Sequence, residues 1–196
     1  MIHYNPEDFV IESSVLKQYT GSQQAVTIPA GVTSIGESAF KDYRGLKSVT
    51  IPAGVTSIGD DAFEGCTGLT NITVQPGNTV YHSAGNCLIR TQSKTLIMGC
   101  QTSVIPTDGS VRSIGEGAFS GCTGLTSITI PDSVTSIGYG AFFECWNLTS
   151  VTIPNSMTMI ARLAFKGCNS LTIHCRQDSY AAKAAPHEQW RVSIIQ

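Results

Sequence analysis

The sequence predicts an α/β solenoid, a stack of short coils joined through parallel strands, and three observations predict it. The dipeptide Ala-Phe recurs with its phenylalanine at Phe40, Phe63, Phe119, Phe142 and Phe165, at intervals of 23, 56, 23 and 23 residues, the long interval being one period plus 33. The phrase around it also returns: Val134-Thr-Ser-Ile-Gly-Tyr-Gly-Ala-Phe142 echoes Val55-Thr-Ser-Ile-Gly-Asp-Asp-Ala-Phe63. A second phrase follows, Leu125-Thr-Ser-Ile-Thr-Ile-Pro131, repeated as Leu46-Lys-Ser-Val-Thr-Ile-Pro52 and Leu148-Thr-Ser-Val-Thr-Ile-Pro154. A unit this short cannot bury its own apolar face, so copies must stack and share one core.

Within each unit, a segment such as Ile128-Thr129-Ile130 is β-branched and alternates apolar with polar, which predicts a short strand. Pro131 lacks an N–H and stops the ladder. The Gly-x-x-Ala-Phe stretch predicts one helical or 3-10 turn on the opposite side, with its Phe pointing inward to build a stack along the axis. Six or so coils at ~4.8 Å spacing make an array of roughly 25–30 Å.

Three regions depart from the period, and they divide a single domain over residues 1–196. Residues 1–24 form an N-terminal cap: Phe9-Val-Ile11 and Val15-Leu-Lys-Gln-Tyr19 predict a hairpin over the first coil, since an open solenoid end exposes core and strand edge. Residues 25–74 are repeats. Residues 75–107 are an irregular repeat, with Cys87-Leu-Ile-Arg90 and Thr95-Leu-Ile-Met98 flanking a four-residue turn, Thr91–Lys94. Its role is read as structural, although insertions in repeat proteins also map to binding faces. Residues 108–173 are repeats again. Residues 174–196 form a C-terminal cap, with a helix from Ser179 through Ala185 that Pro186 ends and a last strand over Arg191-Val-Ser-Ile-Ile195. With both ends capped, the chain is expected to be a whole array.

Composition narrows the function. Of 196 residues, 12 are Lys or Arg and 14 are Asp or Glu, so the net charge is −2 and nothing resembles the basic footprint that nucleic acid requires. At 13% charged and 41% hydrophobic residues, the chain is neither disordered nor a charged helix bundle. No apolar run is long enough to span a membrane, and Met1-Ile2-His3-Tyr4-Asn5-Pro6-Glu7-Asp8 has no basic start or apolar stretch of a signal peptide.

These repeats resemble the BspA-type leucine-rich repeat family, bacterial solenoids with a 23-residue unit. The resemblance covers the chain from about Phe9 to its end. It implies a curved leucine-rich-repeat solenoid with a parallel sheet on its concave face and a C-terminal cap. It also implies surface-exposed adhesion and protein-binding modules, with no catalytic residues to carry over. Location at the cell surface or outside the cell follows from the family alone. The lack of an export signal in the first residues leaves a cytoplasmic member open.

The search for chemistry is negative. Four of seven cysteines, Cys66, Cys122, Cys145 and Cys168, share one repeat position, with Tyr43 there in the first unit. They read as a structural ladder of buried thiols, because parallel side chains on adjacent rungs face the wrong way for a disulfide dihedral. Cys87, Cys100 and Cys175 show no zinc spacing, and His174-Cys175 is an isolated pair where a metal needs about four ligands. His3, His82, His174 and His187 all fall outside the regular repeats. Ser34, Ser57, Ser113 and Ser136, like the carboxylates Glu37, Asp60 and Glu116, recur by repetition, whereas catalysis needs one asymmetric group. No phosphate loop, nucleophile elbow or carboxylate pair appears. An enzyme, a cofactor and a metal are therefore not expected.

Two surfaces are candidates for a partner. With Val49/Ile51, Ile72/Val74, Ile128/Ile130 and Val151/Ile153 inward, the alternating neighbours Ser48, Thr50, Asn71, Thr73, Ser127, Thr129, Ser150 and Thr152 face out as a flat hydroxyl ladder. Plain β-propensity and solubility would explain such a ladder. So would a broad binding face for a protein, or for a glycan through hydroxyl hydrogen bonds. The second surface is a candidate partner or dimer patch. Tyr139, Phe143 and Trp146 replace polar residues of the other units and, at i, i+4 and i+7, would share one face of a helical turn. Met159 and Leu163 do the same one unit later. Either the C-terminal cap and Trp190 cover this patch, or it meets a partner or a second copy. The expected assembly is a monomer or weak homodimer. The leading function is non-catalytic recognition of a protein, a host or surface protein among the candidates. The alternatives are a carbohydrate-binding module and a purely architectural spacer.

Overall fold

In the computed structural model, residues 6–188 and 190–195 are described; His3 and the side chain of His187 lie outside that set. The coils stack as a β-solenoid of mostly parallel strands. Each regular coil contributes two strands. The broad one has three or four residues (Ala25–Thr27, Ser48–Ile51, Asn71–Val74; then Ser127–Thr129, Ser150–Thr152, Thr172–Cys175). The narrow one has two (Ser34–Ile35, Ser57–Ile58; then Ser113–Ile114, Ser136–Ile137, Met159–Ile160). The period sets the register: Ser48 pairs with Asn71, Thr50 with Thr73, Ser127 with Ser150, Thr129 with Thr152, and Ser113 with Ser136. Alternation places Val49, Ile51, Ile72, Val151 and Ile153 inside, each 3% exposed or less.

The Gly-x-x-Ala-Phe segments are chained reverse turns, not the helical or 3-10 turns expected. Two positions in each copy adopt positive φ, which no right-handed helix contains. One lies before Ala (Ser38 57°, Asp61 53°, Gly117 60°, Gly140 55°, Leu163 59°), the other two residues after Phe (Asp42 58°, Gly65 73°, Gly121 68°, Glu144 56°, Gly167 88°). Among the described residues, the one 3-10 segment is Pro6–Asp8 and the one α-helix is Tyr180–Glu188. The architecture is thus nearly all-β, where the sequence had suggested α/β.

Inside the turns the phenyl rings stack face to face. Phe40 and Phe63 lie 4.9 Å apart at 7°, Phe119 and Phe142 5.0 Å at 5°, and Phe142 and Phe165 5.2 Å at 13°. Backbone bonds follow the same rungs: the N–H of Phe40 donates to the carbonyl of Ala62, Phe119 to Ala141 and Phe142 to Ala164, each at 2.7 Å. Threonine hydroxyls bind one coil to the next at the corners, with Oγ1 of Thr56, Thr70, Thr149 and Thr158 donating to a carbonyl 23 residues earlier.

Both ends reuse this plan with altered residues. Phe9–Glu12 pairs antiparallel with Val15–Tyr19, and the latter is also the first narrow rung, with Val15 opposite Ser34 and Leu16 opposite Ile35. Tyr19 holds the phenylalanine's place: its ring lies 5.4 Å from Phe40, and its N–H donates to the carbonyl of Ala39. At the other end, Trp190 meets Phe165 edge-on at 5.5 Å and 89°. The helix begins behind Ser179, whose Oγ accepts from the N–H of Ala182. It runs two residues past Pro186, the expected stop. Proline keeps a helical φ and removes one donor, and near a helix end that loss is small; the N–H of Trp190 bonds the carbonyl of Ala185. Arg191–Ile194 then pairs parallel with Thr172–Cys175.

The long interval splits the stack. Tyr81–Ala84, Cys87–Arg90 and Thr95–Met98 form antiparallel pairs, and Thr95–Met98 doubles as a narrow rung opposite Ser113–Ile114. The broad ladder is consequently two sheets, of three and four strands. The buried core is likewise two clusters, one spanning Leu16 to Cys100, the other Cys87 to Ala181.

Candidate functional site

The eight residues of the hydroxyl ladder do alternate with the buried ones, but the split sheet places them on two separate plots. Ser48, Thr50, Asn71 and Thr73 lie on the three-stranded sheet, where Thr73 Oγ1 donates to Asn71 Oδ1 at 3.0 Å. Ser127, Thr129, Ser150 and Thr152 lie on the four-stranded sheet. There the rows extend past the last regular repeat: Ser127, Ser150, Thr172 and Arg191 form one, Thr129, Thr152, His174 and Ser193 the other. A guanidinium and an imidazole thus join a face that the sequence repeat alone renders uncharged. Asn71, Thr73, Ser127 and Thr129 are exposed; Ser48, Thr50, Ser150 and Thr152 are half-buried. Rows one strand spacing apart present hydroxyl donors and acceptors at ~4.8 Å intervals, suited to extended hydrogen-bonding partners.

The aromatic residues do not share a helical face. Positive φ at Gly140 and Glu144 breaks the helical spacing that would have aligned Tyr139, Phe143 and Trp146. Tyr139 and Trp146 are 50% and 60% exposed, and Met159 sits on the narrow ladder opposite Ser136 at 49%. Trp190 spends its contact on Phe165, so Tyr139, Trp146 and Met159 remain open to solvent. Tyr139, half-buried Phe143 and Leu163 are among the residues that line a cleft of about 820 Å³, which opens where the two halves of the stack meet.

The cysteines are structural. Sγ of Cys66, Cys145 and Cys168 donates to the carbonyl of the phenylalanine 26 residues earlier (Phe40, Phe119, Phe142) at 3.0–3.1 Å. In the first coil Tyr43 reaches further, its hydroxyl donating to the carbonyl of Gln23 at 2.8 Å. All seven cysteines are free thiols. Burial pushes Cys66, Cys87 and Cys122 up to about 12. Cys145 is raised by its thiol neighbour Cys168 first and by burial second. Among the described residues, no three His, Cys, Asp or Glu side chains converge as a metal would require.

Two polar residues with large roles escaped the sequence reading because neither repeats. Asn78 makes four hydrogen bonds: Nδ2 donates to the carbonyls of Pro52 and Val55, and Oδ1 accepts from the N–H groups of Val80 and Tyr81. Ser103, 7% exposed, donates to the carbonyl of Asn86 and accepts from the N–H of Cys100.

Stacked 23-residue coils with phenylalanine and cysteine ladders define a leucine-rich-repeat solenoid. The chain belongs to the BspA type leucine rich repeat family, whose profile matches residues 10–97 and 90–178 in six copies. No curated protein matches it. Several solved structures are similar. A leucine-rich repeat protein from Eubacterium ventriosum shares 27% identity with a TM-score of 0.63, over 78% of this chain and 42% of that one. A leucine rich cell surface protein from Faecalibacterium prausnitzii shares 28% with a TM-score of 0.60, over 91% and 55%. A leucine-rich repeat protein from Bacteroides ovatus shares 26% with a TM-score of 0.59, over 90% and 43%. The chain therefore spans about half the length of these relatives. No helix among the described residues is long and apolar enough to cross a membrane.

Proposed function

We propose that the chain is a non-catalytic recognition module that binds a protein partner at the cell surface or outside the cell through its hydroxyl rows. The observation that carries this reading is the row Thr129, Thr152, His174 and Ser193, in register on four successive strands beside Ser127, Ser150, Thr172 and Arg191. Such a plot offers regularly spaced donors and acceptors without a pocket for chemistry. The family and the cell-surface description of the Faecalibacterium prausnitzii relative support the location.

A carbohydrate-binding role on the same face is the weaker reading. Sugar recognition usually adds an aromatic platform for the apolar face of the ring, and the paired rows hold Thr, Ser, Asn, Ala, His and Arg only. The discriminating experiment immobilises the protein against surface-protein extracts and, separately, prints it on a glycan array. Binding to protein that disappears in a Thr129→Arg, Thr152→Arg variant, with a blank array, is the expected result. Reproducible glycan hits, or protein binding indifferent to that variant, overturn it.

A further inference from the structure

Backbone bonding in the turns follows one rule, and among the described residues two coils depart from it: the last, that of Phe165, whose ring Trp190 covers, and that of Phe63. The N–H groups before Ala, at Phe and two residues after it donate to the next coil: Ser38, Phe40 and Asp42 to the carbonyls of Asp60, Ala62 and Glu64, and Gly117, Phe119 and Gly121 to those of Tyr139, Ala141 and Phe143. The narrow strand accepts in return, the carbonyl of Ile35 from the N–H of Gly59 and that of Ile114 from Gly138. In the coil of Phe63 this edge has nothing beyond it. Among the described residues, the N–H groups of Asp61, Phe63 and Gly65 find no acceptor and the carbonyl of Ile58 no donor, and all four residues line the 820 Å³ cleft. Among the described residues, Phe63 has one ring partner, Phe40. Gly99 stands where the next phenylalanine belongs, as its N–H bond to the carbonyl of Ala118 shows. The cleft is also acidic: Asp60, Asp61 and Glu116 line it against the guanidinium of Arg90, while Glu64, also in its lining, is already paired with Lys41.

We propose that this cleft is a peptide-binding site, in which a short segment of a partner protein, carrying an aromatic side chain flanked by Lys or Arg, takes the place of the missing coil. The aromatic ring lies on the open face of Phe63. The segment's carbonyls accept from Asp61, Phe63 and Gly65, its N–H donates to Ile58, and its cations meet the carboxylates of Asp60, Asp61 and Glu116. This is strand addition adapted to a solenoid: main-chain bonds supply affinity, and the ring slot and the charge supply specificity. Tyr139, Phe143 and Leu163 add apolar lining for a neighbouring side chain. The site shares no residue with the hydroxyl rows, so either can fail without the other.

The test uses a labelled synthetic peptide, Gly-Lys-Arg-Ala-Phe-Lys-Gly, read by fluorescence anisotropy and by amide shifts of the whole protein. Saturable binding is expected, with the largest shifts at the amides of Asp61, Phe63 and Gly65. About tenfold weaker binding is expected when the peptide's Phe becomes Ala, when its cations become Glu, or when the exposed rim is reversed by Asp60→Lys with Glu116→Lys. The Thr129→Arg, Thr152→Arg variant should bind as the parent does. No saturation up to millimolar peptide, equal affinity for the Phe and Ala peptides, or shifts centred elsewhere would each overturn the proposal.

Discussion

Gly99 lies against the ring of Phe119, so closely that a Cβ on it would overlap three ring atoms. The ring is fully buried and stacked on Phe142, so it cannot swing away. Gly99→Ala should therefore cost about 1–3 kcal/mol by overpacking. Gly31→Ala, where a Cβ meets nothing within 4 Å, should stay within about 0.5 kcal/mol of the parent. Urea midpoints of the two variants check this; equal midpoints would show that the stack tolerates the methyl group.

The same glycine shows where sequence reading stops. The five Ala-Phe copies announce the phenyl ladder because residue type and spacing coincide. Tyr19 and Gly99 occupy the same rung yet look unrelated, since each follows its narrow-strand leucine (Leu16, Leu96) by three residues, against five between Ile35 and Phe40. A degenerate coil keeps its backbone rung while losing the side chain and the count that identify it. The hydroxyl rows were legible for the same reason as the phenylalanines, from alternation along a repeated strand. The split of the sheet, the cleft it opens and the anchoring by Asn78 depend on how residues 75–107 pair, and nothing periodic encodes that pairing.

Phe142 is the middle ring of the C-terminal stack, with partners at 5.0 and 5.2 Å and no exposure. Phe142→Ala removes its burial and both ring contacts and should cost about 3–5 kcal/mol. Trp146→Ala, four residues on and 60% exposed, should change the unfolding free energy by less than about 0.5 kcal/mol. Chemical denaturation of the pair gives the comparison. A large loss at Trp146 would mean that its ring is covered in solution, and light scattering of Trp146→Ala, Phe143→Ser against the parent would then show whether a second copy covers it.

Asn78 fastens the last regular coil of the first block to the strand that begins the irregular region. Its amide satisfies two carbonyls and two N–H groups, at 2.7–3.1 Å. Asn78→Ala leaves all four to water or to nothing, and a loss of about 2–4 kcal/mol is expected at about 1 kcal/mol per bond. Asp retains only the accepting half, so Asn78→Asp should fall between the two. Hydrogen exchange at Val80 and Tyr81 should accelerate in Asn78→Ala and stay slow in Asn78→Asp; acceleration in both would assign the protection to burial instead.

The thiol ladder makes alkaline pH the vulnerable side. In the unfolded chain each thiol releases its proton near 9, whereas burial holds Cys66 and Cys87 in the native state to about 12. Below pH 9 both states carry the proton, and their stability contribution is complete. Between 9 and 12 the unfolded state sheds protons that the native state keeps, so each thiol takes away about 1.4 kcal/mol per pH unit. At pH 10 the two together should lower the unfolding free energy by about 3 kcal/mol relative to pH 7. Urea titrations at the two pH values measure this against the parent: a Cys66→Ala, Cys87→Ala variant should lose about 3 kcal/mol of the parent's pH dependence and keep the part due to Cys122, which burial likewise holds to about 12, while starting from a lower stability at pH 7. The same burial predicts that native protein at pH 8 reacts with a thiol reagent at Cys66 and Cys87 only as fast as it opens. Reaction at the rate of a free thiol would show the ladder exposed and remove the argument.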